Sequence, residues 1–169
     1  PYTLTFTPRT GGQLGFAVDL QGPANRCRLV TLSSPGEHFL GFGEQFNHVD
    51  HKGLRVPIIS REQGIGRGLQ PLTSVLNATQ GVGGDWDFTY AAIPFTFTDQ
   101  RRGLLLEDSE YSVFDLTDPY RATVDLFSSS MRGRLLWGPT LLDVLAELAL
   151  YTGRMAALPG WIHEGAVIG

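Results

Sequence analysis

Three stretches, Tyr111-Ser-Val-Phe-Asp-Leu116, Ala122-Thr-Val-Asp-Leu-Phe127 and Arg132-Gly-Arg-Leu-Leu-Trp137, decide the fold. Each is short, alternates apolar and polar side chains, and is bounded by turn residues. Strands that recur about every ten residues, with no helical pattern between them, favour an antiparallel β-sandwich over βαβ units. The same pattern extends towards the N-terminus, and the full set of predicted strands is 2–7, 14–20, 26–32, 88–92, 95–98, 103–106, 111–116, 122–127 and 132–137.

The pattern changes at Pro139, which suits the first turn of a helix. Apolar residues then recur at helical spacing until Gly153, a plausible stop, and this predicts an amphipathic helix of about three turns. We expect the flanking Trp137 and Trp161 to pack against neighbouring structure. The predicted apolar face comprises Leu141, Leu142, Leu145, Leu148 and Ala149, with Asp143 and Glu147 on the outer face.

Beyond the helix, a turn at Leu158-Pro-Gly-Trp161 leads to residues 166–169, which are typical of the start of a strand. No partner for that strand remains in the sequence, so we expect a second domain to begin there. The predicted organisation is a sandwich domain over residues 1–137, a helical connector over 138–158 and a truncated second domain over 159–169.

Size and composition exclude several classes of protein. The chain has 169 residues, 42% of them hydrophobic, and a formal net charge of -4. It is long enough to bury a core, and it has no like-charge run that would suit nucleic acid or a membrane surface. The single cysteine, Cys27, cannot form an internal disulfide and is expected to be a small apolar strand residue. No secretion signal is recognisable; a cytoplasmic location is favoured, but a signal could have been lost with a missing N-terminus, so the compartment is left open.

Two glycine-rich segments, Gly41-Phe-Gly-Glu-Gln-Phe46 and residues 62–68, each present an adjacent carboxylate and carboxamide. Carboxylates accept hydrogen bonds, amides donate and accept them, and an arginine adds a planar fork for an anion, so the group suits a ligand rich in hydroxyls. The surrounding residues 47–84 show little periodicity, and long polar loops inside a domain are usually functional. The candidate binding residues are Glu44, Gln45, Glu62, Gln63 and Arg67.

A third segment, Gly83-Gly-Asp-Trp-Asp87, places an indole between two carboxylates. Trp86 could stack on a sugar face while Asp85 binds hydroxyls, or it could be a core tryptophan at the entry of a hairpin. Glu44 and Glu62 could likewise be an acid/base pair, ligand contacts or caps of loop amides, because the sequence does not give their separation.

Other motifs carry weaker chemistry. His48, Asp50 and His51 have local metal-like spacing, but further ligands are lacking and a solvated turn is the preferred interpretation. Residues 64–68 resemble a phosphate loop, yet we expect no helix after them because Pro71 intervenes. No serine, cysteine or histidine has a recognisable nucleophile setting. No metal and no cofactor is expected.

Taken in order along the chain, these motifs resemble glycoside hydrolase family 31, the α-glucosidase and α-xylosidase family, and most closely its sulfoquinovosidase branch. The resemblance runs from about Phe39 to the end, and the branch assignment depends mainly on residues 62–67. The matching segments are residues 41–46, 50–53, 62–67, 83–85, 90–95, 103–108, 114–115 and 158–161.

The resemblance implies a galactose-mutarotase-like β-sandwich leading through a helix into a (β/α)8 barrel that this chain lacks. It also implies a retaining, exo-acting mechanism with two aspartates in that barrel, so no catalytic residue is expected here. The expected partners are a carbohydrate substrate and the barrel of the same polypeptide, with no nucleic acid and no membrane. The alternatives are a free-standing carbohydrate-binding sandwich and a purely structural module.

Overall fold

The computed structural model describes residues 1–62, 64–163 and 165, and it consists mainly of antiparallel strands. Two sheets face each other, which confirms the predicted β-sandwich. The predicted strand start at residues 166–169 lies outside the described residues. The strands are β1 (Tyr2–Pro8), β2 (Gln13–Leu20), β3 (Cys27–Leu32), β4 (Phe39–Gly43), β5 (Arg55–Ile58), β6 (Ala92–Thr98), β7 (Arg102–Leu106), β8 (Ser112–Asp115), β9 (Arg121–Leu126) and β10 (Ser130–Trp137), and the helices are α1 (Pro71–Gln80), α2 (Leu141–Thr152) and a 3₁₀ turn (Gly160–His163).

One sheet has six strands in the order β1-β2-β10-β7-β6-β4, and the other has four in the order β3-β9-β8-β5. The alternation within β7 shows how the layers form. Leu104 and Leu106 point into the core between the sheets, whereas Leu105 points to the opposite face, where it packs with Val144 of α2. Because successive side chains of a strand face opposite ways, an apolar run such as this one indicates burial on both faces.

Helix α2 covers the outer face of the six-stranded sheet. It begins after Thr140, whose hydroxyl accepts a hydrogen bond from the Asp143 amide while the Asp143 carboxylate accepts from the Thr140 amide, a capping box. Pro139 therefore precedes the helix and is not part of its first turn. None of the helices in the described part of the chain is long and apolar enough to cross a membrane.

The predicted faces of α2 were partly wrong. Val144 is fully buried, whereas Leu142 is 76% exposed. Glu147 was expected on the outer face, but its carboxylate and its backbone carbonyl both accept hydrogen bonds from the buried Gln13 amide at 2.9 Å. The reason is that α2 lies against a sheet end carrying a polar side chain, which the helical pattern cannot reveal. The flanking Trp137 and Trp161 are 49% and 65% exposed, so they pack less than expected.

The middle of the chain differs most from the prediction. Residues 88–91 do not form the expected strand, and pairing begins only at Ala92. Residues 47–84, expected to be a loop, contain strand β5 and the ten-residue helix α1. The first glycine-rich segment is also partly a strand, because β4 pairs with β6 up to Gly43. The two strands that the sequence did not predict, β4 and β5, place loop residues at one end of the sandwich.

Candidate functional site

A bulge at the end of β4 shapes the first candidate loop. Gly41, Phe42 and Gly43 all have positive φ angles, of 115°, 66° and 78°, and the register with β6 shifts between the two glycines. A Cβ on Gly43 would lie 2.1 Å from the Ala91 carbonyl oxygen, and one on Gly41 would lie 2.7 Å from the Phe95 oxygen. The glycines are therefore required by both conformation and close backbone approach, as is usual where a bulge redirects a strand.

Phe42 adopts a backbone conformation that is unfavourable for a non-glycine residue, and its side chain compensates. The ring is fully buried and makes edge-to-face contacts with Phe114 and His51, at centroid distances of 5.1 and 5.0 Å. Edge-to-face aromatic pairs add to the stabilisation from burial. The bulge is thus anchored in the core immediately before Glu44 and Gln45.

Gln45, Asp85 and Trp86, predicted from separate parts of the sequence, line one groove of about 520 Å³. Trp86 is 49% exposed, which contradicts the alternative that it is a core tryptophan. The Gln45 side chain donates to the Phe42 carbonyl oxygen at 3.0 Å, and the Asp85 carboxylate accepts from the Trp86 amide at 2.7 Å. The remaining lining residues are Asn47, His48, Leu54, Arg55, Val56, Pro57 and Asp87.

The second glycine-rich segment supports the tryptophan. Residues 64–68 run beside residues 82–84, with the Ile65 amide donating to the Val82 carbonyl and the Gly68 amide donating to the Gly84 carbonyl. A Cβ on Gly68 would lie 2.4 Å from the indole nitrogen of Trp86, so the indole rests directly on this glycine. The two glycine segments therefore form one unit, which orients Trp86.

This segment is not a phosphate loop, although the reason given from the sequence was wrong. A helix does follow it, because α1 begins at Pro71. Three of the segment's amides already donate elsewhere: those of Ile65 and Gly68 donate to backbone carbonyls, and that of Arg67 donates to the Gln70 side chain at 3.3 Å. These three backbone amides stabilise the loop and are therefore not available to bind an anion.

The other predicted residues lie around the same loops. The Tyr90 hydroxyl donates to the Glu62 carboxylate. The Arg67 guanidinium lies over the Phe46 ring at 5.1 Å. Glu44 has an exposed side chain, and its backbone is fixed by the Ala91 carbonyl and the Thr89 hydroxyl at 3.0 and 2.6 Å. Gln63 lies outside the described residues.

Arg55 and Tyr90 are among the residues of this region that sequence reasoning did not propose as binding residues. Arg55 lines the groove, but it lies in a stretch without clear periodicity and Pro57 obscures its strand. Tyr90 had a usable signal, because it stands in a motif already associated with the family, two residues after a phenylalanine and close to the glycine loops. Neither residue type alone would have distinguished a ligand contact from a surface side chain.

The predicted turn at His48, Asp50 and His51 is only partly solvated. The Asp50 carboxylate pairs with the His38 ring at 2.6 Å, which raises the pKa of His38. His51 is 1% exposed, and this burial lowers the pKa of its ring, which has no hydrogen-bond partner within the described part of the chain. The three side chains face different surroundings, and no group of three metal-ligating residues occurs among residues 1–62, 64–163 and 165.

Comparison with known proteins places this sandwich in a class. No family model matches the chain. Its fold aligns with a solved glycoside hydrolase family 31 sulfoquinovosidase from E. rectale, in complex with an aza-sugar inhibitor, at a TM-score of 0.82 and 21% identity. That alignment covers 99% of this chain and 28% of the solved chain. The fold is therefore that of a sandwich region in a family 31 enzyme.

The curated relatives are more specific. A sulfoquinovosidase of Agrobacterium fabrum is 28% identical over 99% of this chain, and one of Escherichia coli is 30% identical over 86% of it. These matches confirm the predicted resemblance to glycoside hydrolase family 31, nearest its sulfoquinovosidase branch. The chain spans about a quarter of the length of each, 26% and 22% respectively.

Proposed function

We propose that this chain is the accessory sandwich domain of a retaining, exo-acting α-glycosidase and that its groove forms part of the active-site rim. The observation that carries the proposal is the convergence of Gln45, Asp85 and Trp86 on one groove. The length of the curated sulfoquinovosidases, of which the chain matches about a quarter, supports a larger enzyme.

The groove has the chemistry that a sugar requires. A half-exposed indole offers an apolar face, while the neighbouring carboxylates and the carboxamide offer hydrogen-bond partners for hydroxyls. Binding sites commonly combine an apolar or aromatic lining with a few placed polar groups. Arg55 lines the groove and Arg67 lies in the second glycine-rich segment, and their positive charge would suit the sulfonate of a sulfoquinovoside.

In this proposal the chain binds and the barrel catalyses. The two catalytic aspartates implied by the family resemblance lie outside this chain, in a barrel that would begin near residue 159, after the sandwich over 1–137 and the connector over 138–158. Glu44 and Glu62 then contact substrate or support the loops. Glu62 already accepts from Tyr90, an arrangement that suits a positioning role better than proton transfer to a leaving group.

The test uses the full-length protein and a matched pair of tryptophan variants. Trp86 and Trp137 are both 49% exposed, but Trp137 lines a separate apolar cavity of about 370 Å³ between the sheets. We expect the protein to release nitrophenol from a nitrophenyl α-sulfoquinovoside or α-glucoside. We expect Trp86→Ala to lower kcat/KM at least tenfold and Trp137→Ala to change it less than twofold.

Two results would contradict the proposal. Equal changes in kcat/KM for the two tryptophan variants would show that the groove is not part of the active-site rim. Absence of hydrolysis of every α-glycoside, together with saccharide binding that Trp86→Ala abolishes, would instead support the alternative of a carbohydrate-binding sandwich. Isothermal titration with methyl α-glucoside and methyl α-sulfoquinovoside would measure that binding.

A further inference from the structure

The carbonyl of Phe42 links the bulge of β4 to the groove. Its oxygen accepts a hydrogen bond from the Gln45 side-chain nitrogen at 3.0 Å. A carbonyl oxygen can only accept, so the carboxamide must direct its NH2 group towards Phe42 and its oxygen, Oε1, away from it. Because Gln45 lines the groove, the bond determines which end of the carboxamide a ligand meets.

The position of that carbonyl depends on the Phe42 ring. With a φ of 66°, the residue has a left-handed backbone that glycine would adopt more readily. Burial of the ring between Phe114 and His51 holds the backbone there, and the flanking glycines allow the close approach to the β6 side. A smaller side chain at this position would loosen the backbone of the bulge and, with it, the carbonyl acceptor to which Gln45 is bonded.

We propose that Phe42 is a positioning residue, which orients Gln45 so that its Oε1 accepts a hydrogen bond from a hydroxyl of the bound glycoside. Phe42 itself touches no ligand, because its side chain is fully buried. The proposal rests on the proposed function, since it assumes that a hydroxylated ligand occupies the groove. It adds that the Phe42 carbonyl makes Gln45 present a hydrogen-bond acceptor, and not a donor, to the ligand.

A double-mutant cycle in the full-length protein tests the coupling. We expect Gln45→Ala to lower kcat/KM for a nitrophenyl α-glycoside about tenfold, mainly through KM. Phe42→Gly is expected to lower it about fivefold when Gln45 is present and less than twofold when Gln45 is alanine. Phe42→Leu, which keeps most of the apolar volume, provides the same comparison if the glycine variant does not fold.

Controls separate positioning from general destabilisation. Phe16→Leu alters another buried phenylalanine of the same core, on a strand remote from the groove, and is expected to leave kcat/KM within twofold. Equal losses from the Phe42 variants with and without Gln45 would overturn the proposal. So would an unchanged kcat/KM in Gln45→Ala, because no contact would then exist to be positioned.

A second readout does not depend on turnover. In a 1H–15N NMR spectrum, we expect the Nε2 proton of Gln45 that is bonded to the Phe42 carbonyl to be shifted downfield of its value in a free glutamine amide, and to return towards that value in Phe42→Gly. If the enzyme assay shows no activity but this NMR change occurs, the proposed function is refuted and the orientation of Gln45 by Phe42 is not. Unchanged Gln45 resonances in the Phe42 variants would refute the positioning role even in an active enzyme.

Discussion

Replacing Arg102 with methionine should expose how strongly one buried carboxylate depends on its partner. Glu37 is 1% exposed, and both of its oxygens accept from the Arg102 guanidinium, at 2.8 and 2.7 Å. The same guanidinium also donates to the Leu32 carbonyl. Methionine preserves the apolar stem of arginine but removes every one of these donors, so the variant leaves Glu37 buried without its counter-charge.

The expected loss of stability follows from the different exposure of the two side chains. Breaking a fully buried ion pair by removing one member costs about 3–5 kcal/mol. Arg102 is 43% exposed, so its departure lets water reach the carboxylate and reduces the penalty. We therefore expect Arg102→Met to lower the free energy of unfolding by about 2–3 kcal/mol at pH 7, which lowers the urea midpoint by about 1–2 M.

The pH dependence should change sign. Burial acts to raise the pKa of Glu37, but hydrogen bonds from Arg102, Thr98 and Ser33 outweigh it, and the pKa is lowered. In the native protein this stabilisation is present above the ordinary glutamate pKa and is lost as the pH falls through the lowered value. Without Arg102 burial dominates and the pKa is raised. The variant then loses stability as the pH rises through that value.

Urea unfolding monitored by tryptophan fluorescence between pH 3.5 and 7.5 would measure both effects. The double variant Glu37→Gln/Arg102→Met serves as the control, because it leaves no buried charge and should recover much of the loss at pH 7. A penalty for Arg102→Met that is the same at pH 4 and pH 7, or a double variant no better than the single one, would refute this reasoning.

Three further variants test other parts of the structure by the same unfolding measurement. Phe42→Ala should lower the free energy of unfolding by about 3–5 kcal/mol. Phe42→Gly should be about 1 kcal/mol more stable than Phe42→Ala, because glycine tolerates the positive φ at this position. The reverse order of stability would contradict the left-handed backbone conformation. His51→Leu should be more stable relative to the native protein at pH 5 than at pH 7.5, because burial lowers the pKa of His51 and protonation below its ordinary pKa of about 6.5 destabilises the fold; a constant difference would argue against its burial. Leu145→Asp should cost about 2–3 kcal/mol and Leu142→Asp less than about 0.5 kcal/mol, since only Leu145 packs on the sheet, and similar costs would mean that α2 is not docked as described.

The sequence predicted the sandwich well because its strands carry a strong period-two signal. It missed β5, whose Pro57 argues against a strand, although the strand lies at an edge of its sheet, where proline is tolerated. It missed α1 because Pro71 was interpreted as a helix breaker, whereas it stands at the first helical position, where proline is tolerated. The other start signals are weak, since Gln70 provides no side-chain cap and no acidic residue stands in the first turn. Its one buried residue is Thr73, so hydrophobic periodicity gave little help.

For the candidate site, residue chemistry was predictable but arrangement was not. Gln45 and Trp86 were chosen for side chains that suit sugars, and their shared groove depends on the β4 bulge and on the stacking of Gly68 against the indole. Both depend on contacts between residues that are far apart in the sequence. Local sequence shows that glycine is present, but it does not show which backbone or ring approaches it.

The position of β2 also has a consequence for how the chain folds. β2 pairs on one side with its neighbour β1 and on the other with β10, so that Phe16 lies opposite Gly133, more than a hundred residues later. During synthesis the first hairpin must therefore wait for most of the chain before its sheet can form. Pairings of such long range fold slowly and leave apolar surface exposed meanwhile. Phe16, which is buried in the finished core, is part of that surface until β10 has been made.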